Sequence, residues 1–230
     1  INSGRYSASH NAYFALGTEN EKTITITKID LNGNVIWSKK YSGNYNSFEL
    51  AEIKVPNRST TDIILTLSDY GTYYDLYVMR VNGDNGSVVW NKKVKYPTEN
   101  RFSNFVITND NNIVAATTIR GGGLFLTKLN LLGEVLWAKT IDRSGDFQKT
   151  SNFVPDNKNG FLFGFLDGIN GIIGISFDGI INFAYKNNNN SHFRIITKHP
   201  TNGYIISSYL DWNNRATNNE LIYINNDYNI

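Results

Sequence analysis

The side chains with chemistry to offer fall where apolar stretches break. Asp69, Asp167 and Asp211 recur at such breaks, Tyr70, Tyr73, Tyr74 and Trp212 stand beside them, and Arg120 adds a cation. Two carboxylates about 5–10 Å apart, one of them shielded from water, can cleave a glycosidic bond. The same mixture of acidic, aromatic and basic groups also suits recognition of a polar ligand or a protein surface. Nothing local favours catalysis, because no stretch sets a nucleophile beside a base and an orienting partner. His10, His192 and His199 are scattered, and their spacing demands no metal site.

Composition narrows the field further. The 230 residues include no cysteine, which removes disulfides, zinc–thiolate sites and thiol nucleophiles. The stretch NGDNGS from Asn82 looks superficially like a calcium loop and reads more simply as a lengthened hairpin. No metal and no cofactor is expected. A net charge of +2 without a lysine or arginine run speaks against nucleic acid. No apolar run is long enough to span a membrane. Asparagine is abundant at 34 residues, several of them in turn-like clusters such as Asn187 to Asn190.

The elements that would position these residues repeat. Trp37, Trp90 and Trp137 are 53 and 47 residues apart, and Phe183 follows after 46 more. A period of this size belongs to propellers and solenoids. Each period reads as four β-rich runs separated by glycine, proline and asparagine, and no helical period competes. In the second repeat the runs begin at Ser47, Asp62, Asp75 and Ser87; in the first, the opening run reads YSASH from Tyr6. Between the third and fourth runs, Gly33, Gly86, Gly133 and Gly179 mark tight hairpins, where a residue without Cβ admits positive φ. The fourth run alternates, which sets Val35 and Trp37 on one side and Ile36 and Ser38 on the other. Gly33, Trp37, Gly86, Trp90, Gly133, Trp137, Gly179 and Phe183 are therefore structural positions, the aromatic rings filling the wedge between adjacent sheets. Lys39, Lys92 and Lys139 read as the solvated end of the fourth strand.

The expected fold is all-β, a β-propeller of four-stranded antiparallel blades. Blades fall near residues 4–42, 46–96, 101–142, 147–187 and 191–230, the last incomplete because no Trp-x-Lys follows Ile224. The preferred reading is a stretch of a longer propeller; a five-bladed ring with unusual closure comes second and a stack of sheets without ring closure third. With this strand order, loops joining second to third strands share one face, which carries the candidate residues Asp69, Tyr70, Tyr73, Tyr74, Arg120, Asp167, Asp211 and Trp212.

The hairpin and fourth strand resemble the broad group of bacterial propeller repeats with quinoprotein-like blades. The pattern appears as Ile24, Lys28, Ile29, Asp30, Gly33, Trp37 and Lys39, and again as Leu124, Lys128, Leu129, Asn130, Gly133, Trp137 and Lys139. The resemblance implies the fold and leaves activity open, since the group includes scaffolds, adhesion modules and assembly factors, and its dehydrogenases need features absent here. The expectation is a non-catalytic module that presents loops to a protein partner, to the remainder of a longer chain or to a surface glycan. It would act outside the cell or at its surface, within a larger particle. The alternative is a carbohydrate-active enzyme with carboxylates converging from several blades.

Overall fold

A computed structural model describes residues 3–19, 22–43, 48–56, 62–70, 74–94, 100–119, 123–141, 149–156, 160–166, 171–186, 191–199, 203–210 and 220–227. Four antiparallel sheets have four strands each and a fifth has three, every sheet in simple sequence order. The first blade holds β1 (Ser3–Ser7), β2 (Ala12–Glu19), β3 (Thr23–Asp30) and β4 (Val35–Ser42); the second holds β5 (Phe48–Lys54), β6 (Asp62–Tyr70), β7 (Tyr74–Asn82) and β8 (Val88–Val94). The third has β9 (Asn100–Ile107), β10 (Ile113–Ile119), β11 (Leu124–Leu129) and β12 (Val135–Ile141); the fourth has β13 (Lys149–Asp156), β14 (Gly160–Leu166), β15 (Gly171–Ser176) and β16 (Ile181–Lys186). The fifth comprises β17 (Ser191–Lys198), β18 (Tyr204–Leu210) and β19 (Glu220–Ile224).

Burial follows from stacking. Middle strands of the inner blades are apolar on both faces, as in Ile63, Ile64, Leu65 and Leu67 of β6, all fully buried. In the first blade only one face is buried: Phe14, Leu16, Ile24 and Ile26 are covered, while Tyr13 between them is 49% exposed. Apolar clusters fill the seams between successive blades, the first seam holding Phe14 and Ile26 against Ile63 and Met79, the last holding Leu162 and Ile172 against Tyr204 and Ile206. Among the described residues no such cluster joins the fifth blade to the first. The first strands β1, β5, β9, β13 and β17 lie side by side along the inner arc.

The repeated motif is explained by what crosses each seam. Trp37 Nε1 donates to the Gly83 carbonyl of the next hairpin at 3.2 Å, Trp90 Nε1 to Leu131 at 2.9 Å and Trp137 Nε1 to Phe177 at 2.8 Å. A cation stands opposite each indole in register: buried Lys28 and Lys128, and the partly buried Arg80. Lys28 reaches Asp84 of the second blade at 3.7 Å, Arg80 donates to the Leu131 carbonyl, and Lys128 donates to Phe177 at 3.1 Å. Their alkyl stems lie in the apolar seam while the charge meets oxygen at its end. The hairpins themselves are held by a side chain in the Asp or Asn position: Asp30 accepts from the Asn32 and Asn34 amides, and Asn130 from those of Leu132 and Glu134.

Two expectations need correction. The first strand is β1 at Ser3–Ser7, not a run through His10, because Ser7, Ser9 and His10 bond one another in a turn completed by Asn11 at φ 47°. The fourth strands do not alternate from their first residue. Register shifts between Lys28 and Ile29, so that Ile29 faces Val35 and Lys28 faces Trp37, leaving Ile36 as an extra residue. The same one-residue bulge recurs in the next three blades at Val89, Leu136 and Asn182. A bulge bends the strand and re-aims its side chains, so Val35 is 61% exposed while Trp37 packs into the seam.

Candidate binding site at the channel mouth

The inner strands converge on a cavity of about 870 Å³ lined by residues of β1, β5, β9 and β13 and by the turn after β9. Its charged groups are Arg5 from β1 and Lys54 from β5; Thr108, Asn109 and Asn111 supply hydroxyl and amides. Arg5 lies within β1, Lys54 ends β5, and Thr108, Asn109 and Asn111 follow β9, so the inner strands of successive blades line the cavity.

Glu52 ties the two cations together. Its Oε1 lies 3.5 Å from Arg5 Nη2 and 3.4 Å from Lys54 Nζ. Lys54 also donates to the Phe105 carbonyl, with Nζ 4.6 Å from the centre of the Phe105 ring. Burial pushes the Lys54 ammonium below the usual lysine range, Arg5 adds to this, and Glu52 works against it. Lys54 shares its carboxylate partner with Arg5, so the trio carries one positive charge in excess. Arg5, with half its side chain exposed, offers a planar fork of donors beside it.

A second cluster looks like catalytic machinery and is not placed for it. Ser7 Oγ is 2.8 Å from His10 Nδ1, and His10 Nε2 is 3.7 Å from Asp84 Oδ1 in the neighbouring blade. Ser7 is 1% exposed, so its hydroxyl is closed to substrate. Edge contact of the His10 ring with Phe14, centroids 5.1 Å apart, completes a structural tie across the first seam. Among the described residues no group of three or more His, Asp and Glu side chains could hold a metal ion. No helix there is long and apolar enough to cross a membrane.

The residues singled out in the sequence fare differently. Asp69 and Tyr70 end β6, paired with Asp75 and Tyr74 of β7, which places them at the expected loop. Tyr73, Arg120, Asp167, Asp211 and Trp212 lie outside the described residues. Glu19, at the corresponding end of β2, pairs with Lys40 at 2.5 Å. Arg5, Glu52 and Lys54 carried no sequence signal, since strands from separate blades bring them together. A charged residue inside an inner strand was the only hint.

No protein-family model and no curated protein sequence matches the chain. Solved structures do. A provisionally assigned exo-beta-1,3-galactanase from Bifidobacterium bifidum s17 aligns at TM-score 0.54 and 8% identity, covering 93% of this chain and 83% of its own. The WD40 domain of SCAP from fission yeast aligns at 0.55 and 9%, over 91% of this chain and 52% of that one. BBS1N in complex with ARL6DN aligns at 0.54 and 10%, over 88% and 59%. The fold is propeller-like. At such identities the likeness concerns the fold alone.

Proposed function

We propose that this chain is a non-catalytic propeller-like module that binds a partner's acidic group at the channel mouth, outside the cell or at its surface. The observation that carries this reading is the Arg5–Glu52–Lys54 arrangement, two cations sharing one carboxylate at the entrance of a polar cavity. The excess positive charge, with Asn and Thr around it, favours a carboxylate or sulfate on a protein or a surface glycan. BBS1N, solved in complex with ARL6DN, is a propeller-like neighbour that holds a protein partner, which supports the class of function. The loop face of Asp69, Tyr70, Tyr73, Tyr74, Arg120, Asp167, Asp211 and Trp212 is proposed as a second contact surface.

Binding to arrays of acidic and neutral glycans and to candidate proteins tests the proposal. The triple variant Arg5→Ala, Glu52→Gln, Lys54→Met is expected to weaken an acidic ligand about tenfold or more with its melting temperature held, since Met keeps the apolar stem and no carboxylate is left without its cations. Unchanged affinity would contradict the reading. A carbohydrate-active enzyme is the other reading, favoured by the likeness to the galactanase. Release of reducing ends from a β-1,3-galactan would decide for it.

A further inference from the structure

Each hairpin between third and fourth strands is a socket for the preceding blade. In the second blade a Cβ built on Gly86 would stand 3.2 Å from the Trp37 ring and 3.0 Å from Lys39 Cδ. In the third, Gly133 meets Trp90 at 3.1 Å and Lys92 at 3.2 Å; in the fourth, Gly179 meets Lys139 at 2.8 Å. The carbonyls of Gly83, Leu131 and Phe177 in these hairpins accept the indole N–H groups. Ile63, Ile113 and Phe161 form the walls and are fully buried.

The first blade has the same parts uncovered. Gly33, at φ +88°, has nothing within 4 Å of a built Cβ. The Leu31 carbonyl, in the place of the three acceptors, takes no hydrogen bond among the described residues. Tyr13 faces Ile29 just as Ile63 faces Val81, Ile113 faces Leu129 and Phe161 faces Ile175, yet it is 49% exposed.

The rest of this face is pared down. Gly4, Ala15, Gly17, Thr25 and Thr27 occupy the register positions of Ile53, Leu65, Leu67, Tyr77 and Met79 in the second blade. Thr23 and Thr27 satisfy their hydroxyls with Ser42 and Ser38 at 3.2 and 2.9 Å. Such a face cannot build an apolar seam like the others, so its grip is concentrated at the hairpin corner. We propose that this corner is a docking socket for a partner's β-strand carrying Trp-x-Lys. The occupied sockets define the fit: the ring covers Gly33, the indole donates to Leu31, and the lysine reaches hairpin carbonyls as Lys139 reaches Asp178 and Gly179 at 2.8 and 3.2 Å. The Asp30 carboxylate at the hairpin base matches the strand's positive charge. A second copy is a poor donor, because its Trp37, Trp90 and Trp137 already fill their own sockets.

The test is a titration of the nitrogen-labelled chain with the peptide Gly-Glu-Val-Leu-Trp-Ala-Lys-Thr-Ile, read by amide shifts. Shifts at Leu31, Asn32, Gly33, Asn34 and Tyr13 are expected. A peptide with Phe for Trp, which keeps a ring and loses the donor, should bind about fivefold more weakly, and one with Ala should not bind. Gly33→Asn puts a side chain over the socket with a residue that tolerates the left-handed conformation; it should abolish binding while the fold's melting temperature holds. Three outcomes would overturn the proposal: no shift at 31–34 with millimolar peptide, shifts confined to Leu221–Ile224 at the open edge of the fifth blade, or concentration-dependent shifts at 31–34 without peptide. The socket is separate from Arg5 and Lys54, so its failure leaves the channel reading standing.

Discussion

A single indole N–H decides how tightly two blades are joined. Trp137→Phe removes the donor to the Phe177 carbonyl and keeps an aromatic ring in the seam, so it should cost about 1 kcal/mol in urea unfolding. Phe183 is the natural version of that loss, and Phe183→Trp should raise the urea midpoint by restoring a donor toward the fifth blade. What holds that last seam instead is Tyr204, fully buried, whose hydroxyl donates to Asp156 Oδ1 at 2.6 Å. Tyr204→Phe should cost about 2 kcal/mol, because a buried carboxyl acceptor loses a donor. Acid should loosen the third blade's turn. Burial alone would raise the Asp110 carboxyl, but hydrogen bonds from Lys128, Thr108 and Asn112 together hold it below its ordinary 3.8. A lowered folded-state value stabilises above the unfolded pKa and is lost as pH falls through the folded one. Unfolding free energy followed below about pH 4 should therefore decline less steeply in Asp110→Asn than in the parent chain.

At the scale of elements, the strands and hairpins were legible and the departures from them were not. Gly33, Gly133 and Gly179 marked turns correctly because their positive φ is a local demand, at 88°, 80° and 75°. The bulge at Ile36 left no trace in its own strand, since the shift is a property of two paired strands. Lys28 and Lys128 stood in the repeated pattern with no role assigned and are 6% and 5% exposed, since Lys28 reaches Asp84 and Lys128 reaches the Phe177 carbonyl one blade away. Lys39 and Lys139, expected to end in solvent, also lay their stems over Gly86 and Gly179. Close backbone approach was equally hidden: a Cβ on Gly160 would meet the Ile175 carbonyl oxygen at 2.2 Å. Gly160→Ala should therefore destabilise the fourth blade by about 2–3 kcal/mol or more, measurable by thermal melting.

For the whole molecule, stability is a sum over blades and the seams between neighbours. The first three seams carry an indole latch and a cation opposite it; the fourth has Phe183 opposite Gly174 and relies on apolar packing and Tyr204. The channel-mouth cations were invisible in sequence because two blades must pack before Arg5 of β1 meets Glu52 and Lys54 of β5. Native-state hydrogen exchange across a denaturant series, comparing the parent chain with Trp137→Phe, tests the seam account most directly. In the parent, amides of β18 and β19 should exchange through a partial opening of lower free energy than those of β6 and β10. In the variant, β14 and β15 should join that opening while β2 and β3 keep their protection. Uniform exchange across all five blades, or a variant that leaves β14 and β15 unchanged, would contradict the claim that the repeated tryptophans latch each blade to the next.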